Sequence, residues 1–396
     1  MKKIAFVVQR YGLEVNGGAE LECRQYAERM TKYYEVDIIT TKAIDYITWK
    51  DEYTADEETI NGVCVHRFSV DETRDFPAFN KLFDEVTKFQ SSTEEEEDWM
   101  KKQGPYSTGL LRYLQENKDK YDVFLFCTYL YATTYYGLPI VKDKAILIPT
   151  AHDELTIYLH IFEDFFKLPK GFFYNTVIEQ AFVERLFDCS GAVNNAGAGG
   201  VGIDVPTDVS GQRFRDKHGL DDFILYIGRI DRHKGCEELF NYFLHYKKKN
   251  PGRTKLVLIG KETFPIPQDK DILSLGFVEE QDKFDALAAC RLLVLPSRFE
   301  SLSMVVLEAM SVGKAVLVQG NCKVVKNHCL KSNGGLYYKN YFEFEGCLNY
   351  LLKNEDICKA MGENGSRYVE ENYTWENIDE HLRDVIERVA VSQDIP

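Results

Sequence analysis

Two short stretches in the C-terminal half of the chain combine glycines with charged side chains. The first, Tyr226–Gly235, reads YIGRIDRHKG and places Arg229 and Lys234 between Gly228 and Gly235. It follows an apolar run, so it falls where a strand ends and a helix begins, and there an α/β fold presents cations and free N–H groups to phosphate. We therefore predict that Arg229 and Lys234 bind a diphosphate, with two solvated loop cations as the alternative.

The second stretch, Phe299–Glu308, reads FESLSMVVLE, with seven residues between Glu300 and Glu308. Glu308 has apolar neighbours, and an acid in such a helix needs a partner or a ligand. A carboxylate that accepts two hydroxyl hydrogen bonds suits a ribose diol, and Glu300 could do the same for a sugar ring. At the helix start the backbone N–H groups are free for phosphate; they belong to Leu302, Ser303 and Met304. The two stretches together outline a nucleotide-sugar site.

The N-terminal half offers a glycine pair and one histidine. Gly17 and Gly18 follow the first predicted strand, where a loop without Cβ atoms can approach an anion closely. A tight strand–helix turn without a ligand is the alternative. His152, beside Asp153, follows a strand that ends near Ile148, so we predict that it faces a cleft; a structural histidine is the alternative.

One glycine motif argues against a familiar cofactor. Residues Gly197–Gly202 fit G-x-G-x-x-G, but Ile203 to Pro206 follow them instead of a helix. A dinucleotide site needs a strand, a turn and a helix in that order, so we expect no nicotinamide or flavin. No pattern of metal ligands stands out in the sequence, and we expect no metal and no other cofactor.

Composition narrows the class of protein further. The chain has 396 residues, which suggests two domains, and a net charge of −15, which argues against nucleic-acid binding. Ten cysteines without a C-x-x-C pair suggest reduced thiols and a cytoplasmic location. We interpret the apolar run Ile4–Val8 as a first strand and not as a signal peptide. No apolar run reaches the ~18 residues of a transmembrane helix.

These residues require strands that alternate with helices in both halves. The N-terminal strands are predicted at Ile4–Val8, Val36–Thr40, Val63–Phe68, Val123–Cys127 and Ile146–Pro149. The C-terminal strands are predicted at Phe223–Ile227, Lys255–Ile259, Ile272–Leu275, Leu292–Leu295 and Ala315–Val318. The alternation indicates two doubly wound, Rossmann-like α/β domains with parallel sheets, whose ligands bind at the carboxyl ends of the strands.

The predicted first domain comprises residues 1–205 with 376–396, and the second comprises 206–375. The polar stretch Ile203–Leu220 is interpreted as the linker, and an amphipathic helix near Trp375 returns to the first domain. Residues 71–103 suggest a helical excursion or surface insertion, with the acidic run Glu94–Asp98 as a solvated face. The aromatic segment 155–187 is interpreted as core helices, in preference to an acceptor groove or a membrane-grazing surface.

Over nearly its whole length the chain resembles the family 4 retaining glycosyltransferases (glycosyltransferase group 1) of GT-B fold. The Gly17–Glu20 loop corresponds to the family's loop that meets the donor phosphate, and Gly228–Gly235 corresponds to its diphosphate-binding loop. Glu300 and Glu308 match its E-x7-E element, with roles at the donor sugar and the ribose. His152 corresponds to its active-site histidine. The chain departs from the family at residues 301–303, where Ser-Leu-Ser replaces the commoner Gly-Phe-Gly type, so the donor-sugar pocket is expected to differ.

The resemblance implies two domains that face a cleft and a metal-independent, retaining transfer of sugar from an NDP-sugar to a hydroxyl. The acceptor would be sugar-, lipid- or protein-linked, as in polysaccharide, glycolipid or glycoconjugate biosynthesis. Arg229 and Lys234 would stabilise the departing diphosphate while His152 orients the sugar. A cytoplasmic protein is implied, with peripheral contact to the inner membrane face as an option. A sugar-nucleotide epimerase and a non-catalytic GT-B partner subunit remain as alternatives.

Overall fold

The computed structural model describes residues 1–15 and 17–391. They form two compact units. Unit 1 contains residues 1–15, 17–201 and 378–391, and unit 2 contains Gly202–Asn377. The stretch Ile203–Leu220, expected to be a linker, belongs to unit 2 and includes a helix at Gly211–His218. That helix begins where the Ser210 hydroxyl accepts a hydrogen bond from the Arg213 amide, which caps its first turn. The helix was missed because the polar composition of the stretch favoured a linker.

Unit 1 is built on an eight-stranded sheet in the order β3-β4-β2-β1-β5-β6-β7-β8. Its strands are β1 Lys3–Val7, β2 Glu35–Thr41, β3 Glu57–Ile60, β4 Val63–Phe68, β5 Val123–Cys127, β6 Ala145–Ile148, β7 Gly171–Phe172 and β8 Val193–Asn194. Its helices are α1 Gly18–Met30, α2 Phe76–Val86, α3 Thr93–Gln103, α4 Thr108–Asn117, α5 Ala132–Gly137, α6 Ile161–Phe165 and α7 Val177–Phe187. β3 pairs antiparallel with β4, and the other strand pairs are parallel.

Unit 2 has a six-stranded parallel sheet in the order β11-β10-β9-β12-β13-β14. Its strands are β9 Phe223–Ile227, β10 Lys255–Ile259, β11 Ile272–Ser274, β12 Leu293–Leu295, β13 Val316–Gln319 and β14 Gly335–Tyr338. Its helices are α8 Gly211–His218, α9 Cys236–Lys249, α10 Glu280–Ala289, α11 Met304–Ser311, α12 Lys323–Ser332, α13 Tyr341–Lys353 and α14 Glu355–Asn372. The strand order reverses between β9 and β12, and in such sheets ligands bind at this switch point. Two doubly wound α/β domains are thus confirmed.

The last helix, α15, runs from Trp375 to Val391 and passes from unit 2 into unit 1 at Ile378. In unit 2 the Trp375 indole donates a hydrogen bond to Asp204 at 2.8 Å. In unit 1 the Asp379 carboxylate accepts hydrogen bonds from two nitrogens of the Arg29 guanidinium, Nε at 2.9 and 3.1 Å and Nη2 at 2.8 Å. The predicted return of this helix to the first domain is confirmed. No helix in the described part of the chain combines the length and apolar character needed to span a bilayer.

The aromatic segment 155–187 lies mostly in the core of unit 1, as expected. Phe162, Phe166 and Phe172 are buried, and Phe166 stacks on Phe187 with ring centroids 4.1 Å apart. Since these rings fill the space beside the sheet, the segment packs the interior and its aromatic content reflects burial.

Residues 71–103 form the helices α2 and α3, which pack on the same core through Phe79, Trp99 and Met100. The prediction of a solvated acidic run is wrong at one position. Glu96 is completely buried, and its carboxylate accepts hydrogen bonds from His160 Nδ1 at 2.9 Å and from the Ile161 amide at 3.1 Å. The Ser91 hydroxyl also donates to this carboxylate at 3.2 Å. Three donors thus replace water for Glu96, so it can lie inside while its neighbours in the run remain exposed.

We expect Glu96→Ala to lower the free energy of unfolding by about 1–3 kcal/mol, because the Ile161 amide loses its partner in a buried position. Glu97→Ala is the matched control, since the Glu97 side chain is exposed on the same helix. Urea denaturation of both variants measures the difference. Equal stability of the two variants would contradict a structural role for Glu96.

Candidate functional site

The loop after β9 lies directly against the loop after β10. Gly228 and Gly260 have φ of +150° and +142°, and a Cβ atom on Gly260 would lie 2.0 Å from the Gly228 carbonyl oxygen. The Gly228 amide donates to the Ile259 carbonyl at 2.9 Å. Only glycine at position 260 permits this approach, so the backbone leading to Arg229 has a fixed path.

Arg229, Lys234 and Glu300 come together at the end of β9, within one unit. The Arg229 guanidinium pairs with the Asp231 carboxylate, whose other oxygen accepts a hydrogen bond from the Lys234 amide at 2.7 Å. The Lys234 ammonium lies 2.7 Å from Glu300 Oε1. Asp231 is buried and was missed from the sequence, although it lies inside the motif between the two cations. Arg229 remains 38% exposed, so a ligand can reach it.

A sharp turn connects Glu300 to helix α11. Ser303 has φ of +69°, and its hydroxyl is buried without a hydrogen-bond partner among the described residues. Met304 begins the helix, where first-turn amides have no intrahelical acceptor. The turn thus brings the unpaired Ser303 hydroxyl to the start of α11. The phosphate contact of Leu302, Ser303 and Met304 stays a prediction.

His328 on α12 holds this turn through hydrogen bonds. The sequence assigned it no role. Its Nε2 donates to the Leu302 carbonyl at 2.9 Å, and its Nδ1 accepts from the Tyr368 hydroxyl at 3.1 Å. This assignment of donor and acceptor requires a neutral ring. Complete burial lowers the pKa of His328 to about 4, which keeps it neutral.

Glu308 pairs with Lys283, a residue that was missed from the sequence. Lys283 Nζ lies 2.9 Å from Glu308 Oε1, and each side chain is only 16% exposed. Burial raises the pKa of Glu308, and the ammonium opposes that rise. An acid in an apolar helix signals a partner, but the sequence cannot say which of its 48 basic residues supplies it.

In unit 1, Gly17 precedes α1 and Gly18 begins it. A Cβ atom on Gly17 would lie 2.1 Å from Glu20 Oε2, whereas Gly18 has open space around it. The buried Glu20 accepts hydrogen bonds from Gln9 Nε2 at 2.8 Å and from Arg10 Nε at 2.9 Å. The glycine loop is therefore backed by a rigid, charge-compensated pair.

His152 follows β6 on a loop anchored by two acids. Its Nε2 lies 3.7 Å from Glu154 Oε2, and Glu154 also accepts the Tyr129 hydroxyl at 2.8 Å. The preceding Ala151 amide donates to the buried Glu179 at 2.6 Å. Desolvation raises the pKa of Glu179 to about 8, although backbone amides partly oppose it. Glu154 and Glu179 were missed from the sequence as supports of this loop.

The G-x-G-x-x-G stretch between β8 and α8 has a packing role. A Cβ atom on Gly199 would lie 2.1 Å from the Tyr174 carbonyl oxygen, and one on Gly202 would lie 2.4 Å from the Trp375 ring. These glycines allow close packing inside each unit. The stretch lacks the strand–turn–helix context of a dinucleotide motif.

One cluster in unit 1 has metal-ligand chemistry. His66 Nε2 lies 3.3 Å from Asp37 Oδ2 and 3.7 Å from Cys64 Sγ. The same Asp37 oxygen already contacts the Lys3 ammonium at 2.9 Å and the Tyr121 hydroxyl at 2.7 Å. A cation would have to displace that ammonium, so we interpret the cluster as a hydrogen-bond network. The absence of a metal stays a prediction.

The two Rossmann-like units define a GT-B fold, which solved structures share. The chain superposes on sucrose-phosphate synthase from Thermosynechococcus elongatus with a TM-score of 0.71 and 14% identity, covering 99% of this chain and 100% of that one. It superposes on HepE from Anabaena, solved in complex with UDP and glucose, with a TM-score of 0.68 and 14% identity, covering 98% and 100%.

Residues 211–368, which contain Arg229, Lys234, Glu300 and Glu308, match the family model "Glycosyl transferases group 1". This match bears out the predicted resemblance to the group 1 glycosyltransferases over this part of the chain, while the family 4 and retaining character stay predictions. An uncharacterized glycosyltransferase of Methanocaldococcus jannaschii is 26% identical over 181 residues, which cover 42% of this chain and 45% of the relative. The match therefore spans less than half of that relative.

We expect Gly260→Ala to lower the free energy of unfolding by about 1–3 kcal/mol, because the new Cβ meets the Gly228 carbonyl and φ is unfavourable. Gly252→Ala is the control, since that position has open space. Thermal denaturation of both variants measures the effect. An unchanged midpoint for Gly260→Ala would show that the two loops can separate without cost.

We expect the free energy of unfolding to fall as the pH drops from 6.5 to 4. In this range the His328 imidazole binds a proton in the unfolded chain but stays neutral in the native structure. The contribution is present above pH 6.5 and amounts to about 3 kcal/mol when fully lost. His328→Gln should flatten the pH dependence measured by urea denaturation. His245→Gln, at an exposed position, should keep the wild-type slope; the same slope in both variants would contradict a neutral His328.

Proposed function

We propose that the protein is a retaining glycosyltransferase that moves a sugar from an NDP-sugar donor to an acceptor hydroxyl without a metal ion. The observation that carries this proposal is the 2.7 Å pair between Lys234 and Glu300. It joins the glycine-rich loop after β9 to the turn before α11, at the switch point of the sheet in unit 2. The diphosphate and sugar contacts are thereby held in one cluster.

In this proposal the diphosphate lies against Arg229, Lys234 and the amides at the start of α11. The sugar meets Glu300, and the ribose meets Glu308. Both cations already have carboxylate partners, so the cluster of Arg229, Asp231, Lys234 and Glu300 is close to neutral before the donor binds. The attraction for a diphosphate then also depends on the amides and the buried Ser303 hydroxyl.

The cations act most strongly when the bond between sugar and diphosphate breaks, because negative charge then develops on the leaving group. The departing phosphate takes the proton of the acceptor hydroxyl, and that hydroxyl bonds to the same face of the anomeric carbon. The products are thus a nucleoside diphosphate and a glycoside whose anomeric carbon retains its configuration. His152, in unit 1, orients the sugar and stabilises the reacting centre.

The donor and the acceptor are proposed only as classes. A solved GT-B structure with UDP and glucose supports a nucleotide sugar as donor. An acceptor of polysaccharide, glycolipid or glycoprotein assembly, a cytoplasmic location and peripheral contact with the inner membrane face rest on the resemblance.

We expect one of a panel of UDP-, GDP-, ADP- and dTDP-sugars to raise the melting temperature of the wild type, since binding to the native state stabilises it. Arg229→Ala combined with Lys234→Ala should abolish that shift. The double variant should also lower kcat/KM for transfer by about a hundredfold or more, because two donors to the developing charge are lost.

The matched control combines Lys217→Ala with Lys249→Ala, which removes two lysines from ion pairs on the surface of unit 2. It should retain the donor shift and the transfer rate. A near-unchanged kcat/KM in the Arg229/Lys234 double variant would refute the diphosphate assignment. Release of an epimerised free sugar without acceptor transfer would refute the transferase itself.

A further inference from the structure

The pair between Lys283 and Glu308 connects two neighbouring helices of unit 2. Lys283 lies in the first half of α10, and Glu308 lies in the middle of α11. The ammonium contacts Glu308 Oε1 at 2.9 Å, and no described residue donates a hydrogen bond to the other oxygen, Oε2. One oxygen of the carboxylate is therefore held by the lysine, and the other has no donor among the described residues, on a side chain that remains 16% exposed.

The carboxylate needs this partner because its helix is apolar. Val306, Leu307, Ala309 and Met310 are all buried. The charged groups that act on Glu308 lie on α10, where Lys283 favours the ionised acid and Glu280 disfavours it. Lys283 also contacts Glu280 at 2.9 Å, but that acid is 68% exposed and gains water instead. The buried partner of Lys283 is thus Glu308.

We propose that Lys283 is a positioning residue of the donor site, which keeps the Glu308 carboxylate ionised and oriented to accept hydrogen bonds from the donor ribose. This inference rests on the function proposed above, in which Glu308 meets the ribose, and it assigns a role to a residue outside the group 1 motifs. Lys283 itself does not contact the donor.

The chemistry of the ribose explains why ionisation matters. Two adjacent hydroxyls donate two hydrogen bonds, and an ionised carboxylate has acceptor capacity on both oxygens. A protonated acid turns one oxygen into a donor and loses part of that capacity. Without Lys283 the burial of Glu308 is uncompensated, and the acid takes up a proton at a higher pH than in the wild type.

A second buried pair in the same unit provides a control. Lys247 Nζ lies 3.3 Å from Asp271 Oδ2, with side chains 9% and 15% exposed. Lys247 is near the end of α9, and Gly235 precedes the start of that helix. The two pairs resemble each other in burial, so Lys247→Met reports what losing a buried lysine does away from the candidate site.

The test measures binding of the nucleoside diphosphate, among UDP, GDP and ADP, that stabilises the wild type most. Calorimetric titrations from about pH 6 to 9 compare the wild type with K283M, K283R, E308Q, K283M/E308Q and K247M. Near neutral pH, K283M should bind about ten- to hundredfold more weakly, the range for lost hydrogen bonds to a charged group. Its affinity should recover as the pH rises, because Glu308 then ionises without the lysine.

The other variants separate positioning from direct contact. K283R should retain most of the affinity, and K247M should bind like the wild type. E308Q should bind weakly at every pH, and adding K283M should weaken it no further. The substitution E308Q should weaken binding of the 2′-deoxy form of the same nucleotide less than it weakens binding of the ribonucleotide. The deoxy form already lacks one of the two hydroxyls that would contact Glu308. Circular dichroism checks the fold, and K283Q replaces K283M if the latter does not fold.

Two results would overturn the inference about Lys283 and leave the proposed function standing. Wild-type affinity and pH dependence in K283M, with E308Q still weak, would show that Glu308 needs no lysine. Additive losses in the double variant would show that Lys283 contacts the nucleotide directly. If the wild type binds no nucleoside diphosphate, the proposed function fails, and this inference fails with it.

Discussion

A carboxylate that leaves water must gain a counter-ion or hydrogen-bond donors, and this requirement shapes both units of the protein. Glu20 gains Arg10 beneath the first glycine loop, and Glu96 gains His160 and a backbone amide. In unit 2 the acids of the candidate site each face a cation. The loops of the candidate site are therefore held by pairs of opposite charges.

The parallel sheets decide where these pairs meet. In unit 2 the chain order reverses between β9 and β12, so the loops that follow these two strands leave the same edge of the sheet as neighbours. Lys234 follows the first strand and Glu300 follows the second, although 65 residues lie between them in the sequence. Their contact at 2.7 Å is a consequence of topology, and it connects the glycine-rich loop after β9 to the turn before α11.

The sequence predicts the parts of this arrangement that are local. Glycines bracketing two cations after an apolar run, and two acids spaced around a helix start, are visible in short segments. Lys283 and His328 were missed because their partners lie 25 and 26 residues away and nothing local marks the contact. Glu96 is a different case. It shares one helical face with Trp99, Met100 and Gln103, which are all buried. This helical spacing indicates burial of Glu96, but the run of acids around it favoured the prediction of a solvated face. Strand β14 and helices α12 to α14 were not assigned from the sequence, nor was the short helix in the supposed linker.

Helix α15 gives the molecule a particular order of assembly. Unit 2 is one continuous segment of the chain, whereas unit 1 needs a helix that follows unit 2 in the sequence. Lys2 and Tyr34 contact Glu387, and Gly171 packs against Val389. On the ribosome these residues of unit 1 lack their partners until α15 has emerged, while every strand of unit 2 is already made. Unit 2 can thus complete its sheet first. Unit 1, although it is synthesised earlier, completes its packing only when α15 is present.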